Sequence, residues 1–190
     1  VMMNDSRYSE KDIISAIEYL KKKGGKKFKH TDLDIALQFY NKKSEGKWSP
    51  KSLLNKRDIL ILGSGPSIDL HKKPLENFIK EKKPIVLALN LKKGIDKSLI
   101  NFYIACHPVK LLSDAENHSV LPQPLITPAS TFSKNLLKKL ANKKIHDYGI
   151  KISSNIFKFY DKHCVIPNSL VISYALAICV SGNASNIFMA

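Results

Sequence analysis

Arginine is almost missing from this 190-residue chain: Arg7 and Arg57 are its only two, so nearly all of the 31 basic residues are lysines. Against 16 acidic residues they leave a formal net charge of +15. A charge of that size points toward polyanions. Lysine, however, lacks the planar fork that reads guanine edges or clamps a phosphate bidentately. The lysines also run through the whole chain, in KKKGGKK, EKK and NLLKKLANKK, rather than along one helix face interleaved with aromatics. They are read as a solvated surface, and nucleic acid is not an expected partner.

Cysteine is scarce too. Cys106, Cys164 and Cys179 are odd in number and include no Cys-x-x-Cys pair, which argues against a disulfide framework or a zinc ribbon and fits a reducing cytoplasm. The histidines show no metal-ligand spacing, and no metal is expected. The most apolar stretch, LVISYALAICV, is too short for a bilayer of about 30 Å, so no membrane span is expected. The opening VMMNDSRYSEKD is polar where a signal peptide needs an apolar segment. What remains is ordinary for a folded domain, 44% hydrophobic and 25% charged. Because the chain starts at Val1 and stops at the apolar run NIFMA, a fragment of a longer polypeptide is expected, cut near the C-terminal end of its main domain.

Residues 1–45 read as a helical hairpin and linker. Ile13, Ile17 and Leu20 recur at helical spacing behind the capping pair Ser9 and Asp12, and Leu33, Leu37 and Tyr40 form a second stripe behind Thr31. A hairpin of this size needs a neighbour to pack on. Trp48 is the expected anchor of the linker onto the main domain. From residue 46 to 190 the pattern changes. ILIL, IVLAL, FYIAC, LIT, IHDYGI, HCVI and NIFMA read as strands, the first four as parallel strands buried on both faces. Helical stretches alternate with them: one with Pro74 near its start, one capped by Ser133, and a buried one capped by Asn168 and Ser169 and ended by Gly182. The alternation predicts an α/β fold, a Rossmann-like, doubly wound and mostly parallel sheet.

In such a sheet the ligand sits at the carboxyl ends of the strands, and the first glycine turn supplies much of the site. Here that turn is Gly63, Ser64, Gly65, Pro66 and Ser67. Its glycines would let backbone N–H groups approach an anion, and Ser67 adds a hydroxyl. A nicotinamide fingerprint would need a third glycine where Ile68 stands and an acidic residue where Asn90 stands; a P-loop would need Gly-Lys-Ser/Thr. Neither pattern is present. A tight turn with no ligand is the alternative. Asn90 and His107 end the next two strands and could reach a base, ribose or sugar. Asn90 could equally serve a turn conformation, and His107 could be a capping or core histidine. The helix start at Asn168 and Ser169 is a second place where an anion could meet free N–H groups, with plain capping as its alternative.

Together, ILGSGPSI, LALN, IACHP and NSLVISYALAICVSGNASNIFMA resemble the sugar-nucleotide-binding region of bacterial sialyltransferases, glycosyltransferase family 42, and of 6-hydroxymethylpterin pyrophosphokinase-like proteins. The resemblance implies a cytidine nucleotide held by a Gly-Asn-Gly-Pro-Ser turn. Gly63, Gly65, Pro66 and Ser67 match that turn, and Ser64 replaces its asparagine. Asn90 matches the family's asparagine, while Leu91 replaces a glutamine; His107 replaces the asparagine of an Asn-Pro whose proline is Pro108; Pro167, Asn168 and Ser169 correspond to a Thr-Ser-Gly turn. The family's phosphate tyrosines and general-base histidine would fall after Ala190. Separately, VMMNDSRYSEKDIISAIEYLKKKGGKKF is similar to the region following the barrel in bacterial proteins related to 4-hydroxy-2-oxovalerate aldolase and hydroxymethylglutaryl-CoA lyase, some of which occur with surface-polysaccharide genes.

The expected function is a nucleotide or nucleotide-sugar binding domain, for a CMP-sugar or related ligand, attached to an aldolase-like enzyme of surface-glycan or nonulosonic-sugar metabolism. The alternatives are a sialyltransferase-like fragment without its catalytic residues, and an assembly module without ligand. No catalytic residue is expected within these 190 residues.

Overall fold

A computed structural model describes residues 44–190 apart from Lys92, Lys93, Ser133 and Ser154. The helical hairpin expected from residues 1–45 therefore lies outside the described residues, except for its last two, and so does the Ser133 cap. The first described helix is the single turn α1 (Lys51–Leu54). Strand β1 (Ile59–Leu62) leads through a one-turn helix α2 (Ser67–Leu70) and α3 (Lys72–Lys82) to β2 (Ile85–Leu89). Then come β3 (Phe102–Ile104), α4 (Pro108–Val120), β4 (Leu125–Thr127), α5 (Lys134–Lys139) and β5 (Ile145–Asp147). After three further strands, α6 (Val171–Ser181) returns the chain to β9 (Ile187–Met189).

The principal sheet has six strands in the order β5-β4-β3-β2-β1-β9, and every pairing is parallel. This is the Rossmann-like α/β architecture that the alternating pattern predicts. All of β1, and β2 from Val86 to Leu89, are buried, because helices cover both faces. The register shows which helix lies where. Phe188, Leu60 and Val86 share a face with Ala88 and Tyr103; on that face Phe78 of α3 meets Phe188 and His118 of α4 meets Tyr103. The opposite face carries Phe102 and His146 with Trp48, whose ring centroid lies 4.7 Å from that of His146. Trp48 is thus the anchor its position suggested. No helix among the described residues is long and apolar enough to cross a membrane.

The expectations for the last third need correcting. IHDYGI is not one strand: it breaks at Tyr148 into β5 and β6 (Gly149–Ile152), which belong to different sheets. HCVI, as β8 (His163–Ile166), lies between β6 and the two-residue β7 (Lys158–Phe159) in a separate three-stranded sheet. Tyr148 is the cause. It is fully buried, its hydroxyl lies 3.0 Å from the Tyr160 carbonyl and 2.9 Å from that of His163, and it also bonds the Ser181 hydroxyl. The Tyr174 hydroxyl donates to the Tyr148 carbonyl. A buried tyrosine with that many polar partners draws its own backbone out of the first sheet.

Asn168 and Ser169 do not cap α6. The N-cap is Leu170, without a side-chain cap bond; Asn168 Oδ1 instead accepts the Leu170 N–H at 3.1 Å within the loop. Gly182 does end the helix, at φ −77°, so packing rather than a left-handed turn calls for glycine: a Cβ there would lie 2.8 Å from Leu54 Cβ.

Candidate site at the carboxyl edge of the sheet

Since the six strands run parallel, their carboxyl ends share one edge. Gly63 follows β1, Asn90 follows β2, and His107 follows β3 as the N-cap of α4. The loop into α6 joins them there, because the Cys106 thiol donates to the Ser169 carbonyl at 3.3 Å. The nine residues singled out in the sequence thus fall along a single edge. The strand order reverses between β1 and β9, directly beside the glycine turn, where a doubly wound sheet opens its crevice.

The two glycines of the turn differ in role. Gly63 N–H donates to Ala190 O at 2.7 Å, continuing the β1–β9 ladder by one step, so it is not offered to a ligand. A Cβ on Gly63 would stand 3.1 Å from that same carbonyl, which gives this glycine a packing reason. For Gly65 the described residues show no such reason: among them a Cβ there would meet Ser67 Oγ, at an ordinary 3.7 Å, and its φ is not positive. Residues 64–67 are exposed, and Pro66 begins α2 without a side-chain cap. Ile68, where a nicotinamide fingerprint has glycine, is packed into the core.

Asn90 has φ 55° and donates its N–H to Ile104 O at 2.8 Å, so the left-handed conformation is by itself a reason for asparagine. Burial pushes the His107 imidazole down to about 4, which leaves it neutral near pH 7, one nitrogen a donor and the other an acceptor. Burial likewise raises the Cys106 thiol far above its ordinary range, and it is no nucleophile. Among the described residues no group of three or more His, Cys, Asp or Glu side chains could hold a metal ion.

Two helices of different faces start at this edge, α4 at His107 and α6 at Leu170. Neither has a side-chain cap or an acidic residue in its first turn. Their positive ends therefore remain available to an anion.

Other residues of the edge escaped sequence reasoning. After β2, Gly94 and Asp96 meet the helices that follow the turn: Gly94 has φ 93°, a Cβ on it would lie 1.9 Å from Asp69 Oδ1, and the Asp96 N–H donates to Glu76 Oε1. The glycine of KKGID was its only signal. Asp147 accepts the Ser130 N–H at 2.9 Å and also the Ser130 hydroxyl, and in-register Thr127 buries a hydroxyl without a partner. Only strand pairing brings these together, so no local pattern could announce them.

No protein-family model matches this chain, and no curated protein matches it. The edge carries an exposed turn with the Ser64 and Ser67 hydroxyls, a neutral imidazole and two helix N-termini, groups that suit an anion.

Proposed function

We propose that this domain binds a nucleotide or nucleotide sugar at the carboxyl edge of its sheet, with the turn 64–67 on the phosphates and Asn90 and His107 toward the nucleoside or sugar. The observation that carries the reading is Gly65. Among the described residues neither a crowded Cβ position nor a positive φ calls for glycine there, whereas close approach of an anion to the backbone would. The strand reversal beside the turn and the uncapped starts of α4 and α6 support the same ligand class. A cytidine nucleotide, and a place beside an aldolase-like enzyme of glycan metabolism, rest on the resemblances alone.

Calorimetric titration of the chain with CMP, UMP, AMP and a CMP-sugar tests the reading. At least one should bind at millimolar concentration or tighter, and Gly65→Val should weaken it by about tenfold or more, since a branched side chain would occupy the phosphate approach. Because a Cβ at that position meets the described residues only at an ordinary contact distance, Gly65→Val should unfold at the parent's midpoint. No binding by any of the four, or equal binding by the variant, would leave the ligand-free assembly module as the better reading.

A further inference from the structure

Exposed apolar side chains gather at one end of the three-stranded sheet. Strands β6 and β8 run parallel and end together, and the Ser153 N–H donates to Ile166 O at 3.1 Å, tying the chain that leaves β6 to the end of β8. Asn155, at φ 59°, turns that chain toward antiparallel β7. Since Phe159 opposes Cys164 there, Phe157 stands level with Ile166, and the two phenylalanine rings meet with centroids 5.9 Å apart. Ile156 and Phe159 are exposed, and Phe157 is 53% exposed. Four residues after Ile166, Leu170 is 59% exposed at the start of α6, which packs back along β8 and β7. Ile156, Phe157 and Leu170 thus share this end of the sheet.

Cations border it. Lys151 and Lys158 both pair with Val165 and are exposed just behind the apolar end. From residue 148 to residue 181 the only carboxylate side chain is Asp161, and the Ser49 hydroxyl bonds it at 2.5 Å. An apolar tip with lysines behind it complements an anionic bilayer, whose headgroup layer takes the rings and aliphatic chains while its phosphates meet the ammonium groups. A chain of +15 that is nearly free of arginine suits such a surface, because a diffuse negative potential attracts a point charge without needing a planar fork. Stacked bases suit it less: the Phe157 and Phe159 rings meet edge to face, at 65°, rather than side by side, and Ile156 and Leu170 offer a base no π face. We propose that this end of the small sheet seats the domain on an anionic lipid surface, with Ile156, Phe157 and Leu170 in the headgroup layer and Lys151 and Lys158 at its phosphates. The contact is peripheral, and it does not rest on the nucleotide reading.

Cosedimentation of the full 190-residue chain with lipid vesicles at low salt tests this. Vesicles containing phosphatidylserine should carry the chain down, and vesicles of phosphatidylcholine alone should not. Phe157→Ser with Leu170→Ser should weaken the binding about tenfold, and Lys151→Gln with Lys158→Gln about as much. All four side chains are exposed, so both variants should keep the parent's urea midpoint. Removing the same charge from α3, by Lys80→Gln with Lys82→Gln, should weaken binding less, which separates this patch from net charge. No binding to phosphatidylserine vesicles, equal binding to phosphatidylcholine, no effect of the apolar pair, or an equal effect of the α3 pair would each overturn the proposal. So would self-association that Phe157→Ser with Leu170→Ser abolishes, which would give the patch to a second copy, or oligouridylate binding lost in that variant without vesicle binding, which would give it to single-stranded nucleic acid.

Discussion

Glycine at four positions serves three different ends, and substitution separates them. At Gly149 and Gly46 the reason is close approach: Cβ atoms there would lie 1.9 Å from Ser44 O and 2.1 Å from Asp147 O, against backbone that cannot step aside. Gly149→Ala should therefore cost at least about 1–3 kcal/mol, read as a lowered urea midpoint. At Gly63 the reason is the neighbouring strand, and at Gly65 the proposed reason is the approach of a phosphate. Gly65→Ala should leave the urea midpoint in place and act only on nucleotide binding.

His118 shows a residue-scale property that no motif displays. It is 1% exposed, its Nδ1 has no partner, and burial, reinforced by the nearby Lys143, pushes its imidazole down to about 4. The folded form keeps it neutral while the unfolded chain protonates it near 6.5. The unfolded state thus binds more protons between those values, so stability is full above pH 6.5 and falls as pH drops toward 4. His107 adds a loss over the same window. His118→Phe keeps an aromatic edge on Tyr103 and removes the titration. Urea midpoints measured from pH 7 to 4 should fall less steeply for that variant than for the parent; parallel curves would show that His118 titrates alike in both states.

At the scale of elements, Tyr148 joins the two sheets and α6. Tyr148→Phe keeps the ring but removes the hydroxyl that bonds Ser181 and the Tyr160 carbonyl and shares the His163 carbonyl with the Tyr160 N–H. The expected cost is about 1–3 kcal/mol in chemical unfolding, with exchange rising first in β6 to β8 and at the end of α6. If exchange rose uniformly instead, Tyr148 would be ordinary core.

This same element marks where the sequence stopped being legible. ILIL, IVLAL and LIT are parallel strands because burial on both faces leaves a continuous apolar run, a local signature. The glycine turn, Asn90 and His107 could be placed at one edge because parallel strands end together. By contrast, the break at Tyr148 depends on carbonyls 12 and 15 residues away and on a serine 33 residues away, which no local window contains. The caps expected of Asn168 and Ser169 failed for a related reason. The Ser169 carbonyl is tied to the Cys106 thiol 63 residues earlier, and the Asn168 side chain turns the loop rather than starting the helix. Two-residue β7 is too short for any period to show.

At the scale of the whole molecule, the edge strand β9 lies beside β1, and the two are secured at their bases by side chains far apart in the chain. Asn186 Nδ2 donates to Asp58 Oδ1 at 2.8 Å and Asn183 Nδ2 to Asn55 Oδ1 at 2.7 Å, each pair separated by 128 residues. At the other end of the strand Gly63 waits on Ala190. Closing a loop of that length is entropically unfavourable and slow compared with pairing β1 to β2, which are joined locally. The turn that begins the sheet is therefore among the last parts to be finished. During folding there is an interval in which most of the core exists but the proposed anion site does not, and a ligand that held the finished turn would act as a latch on the final strand.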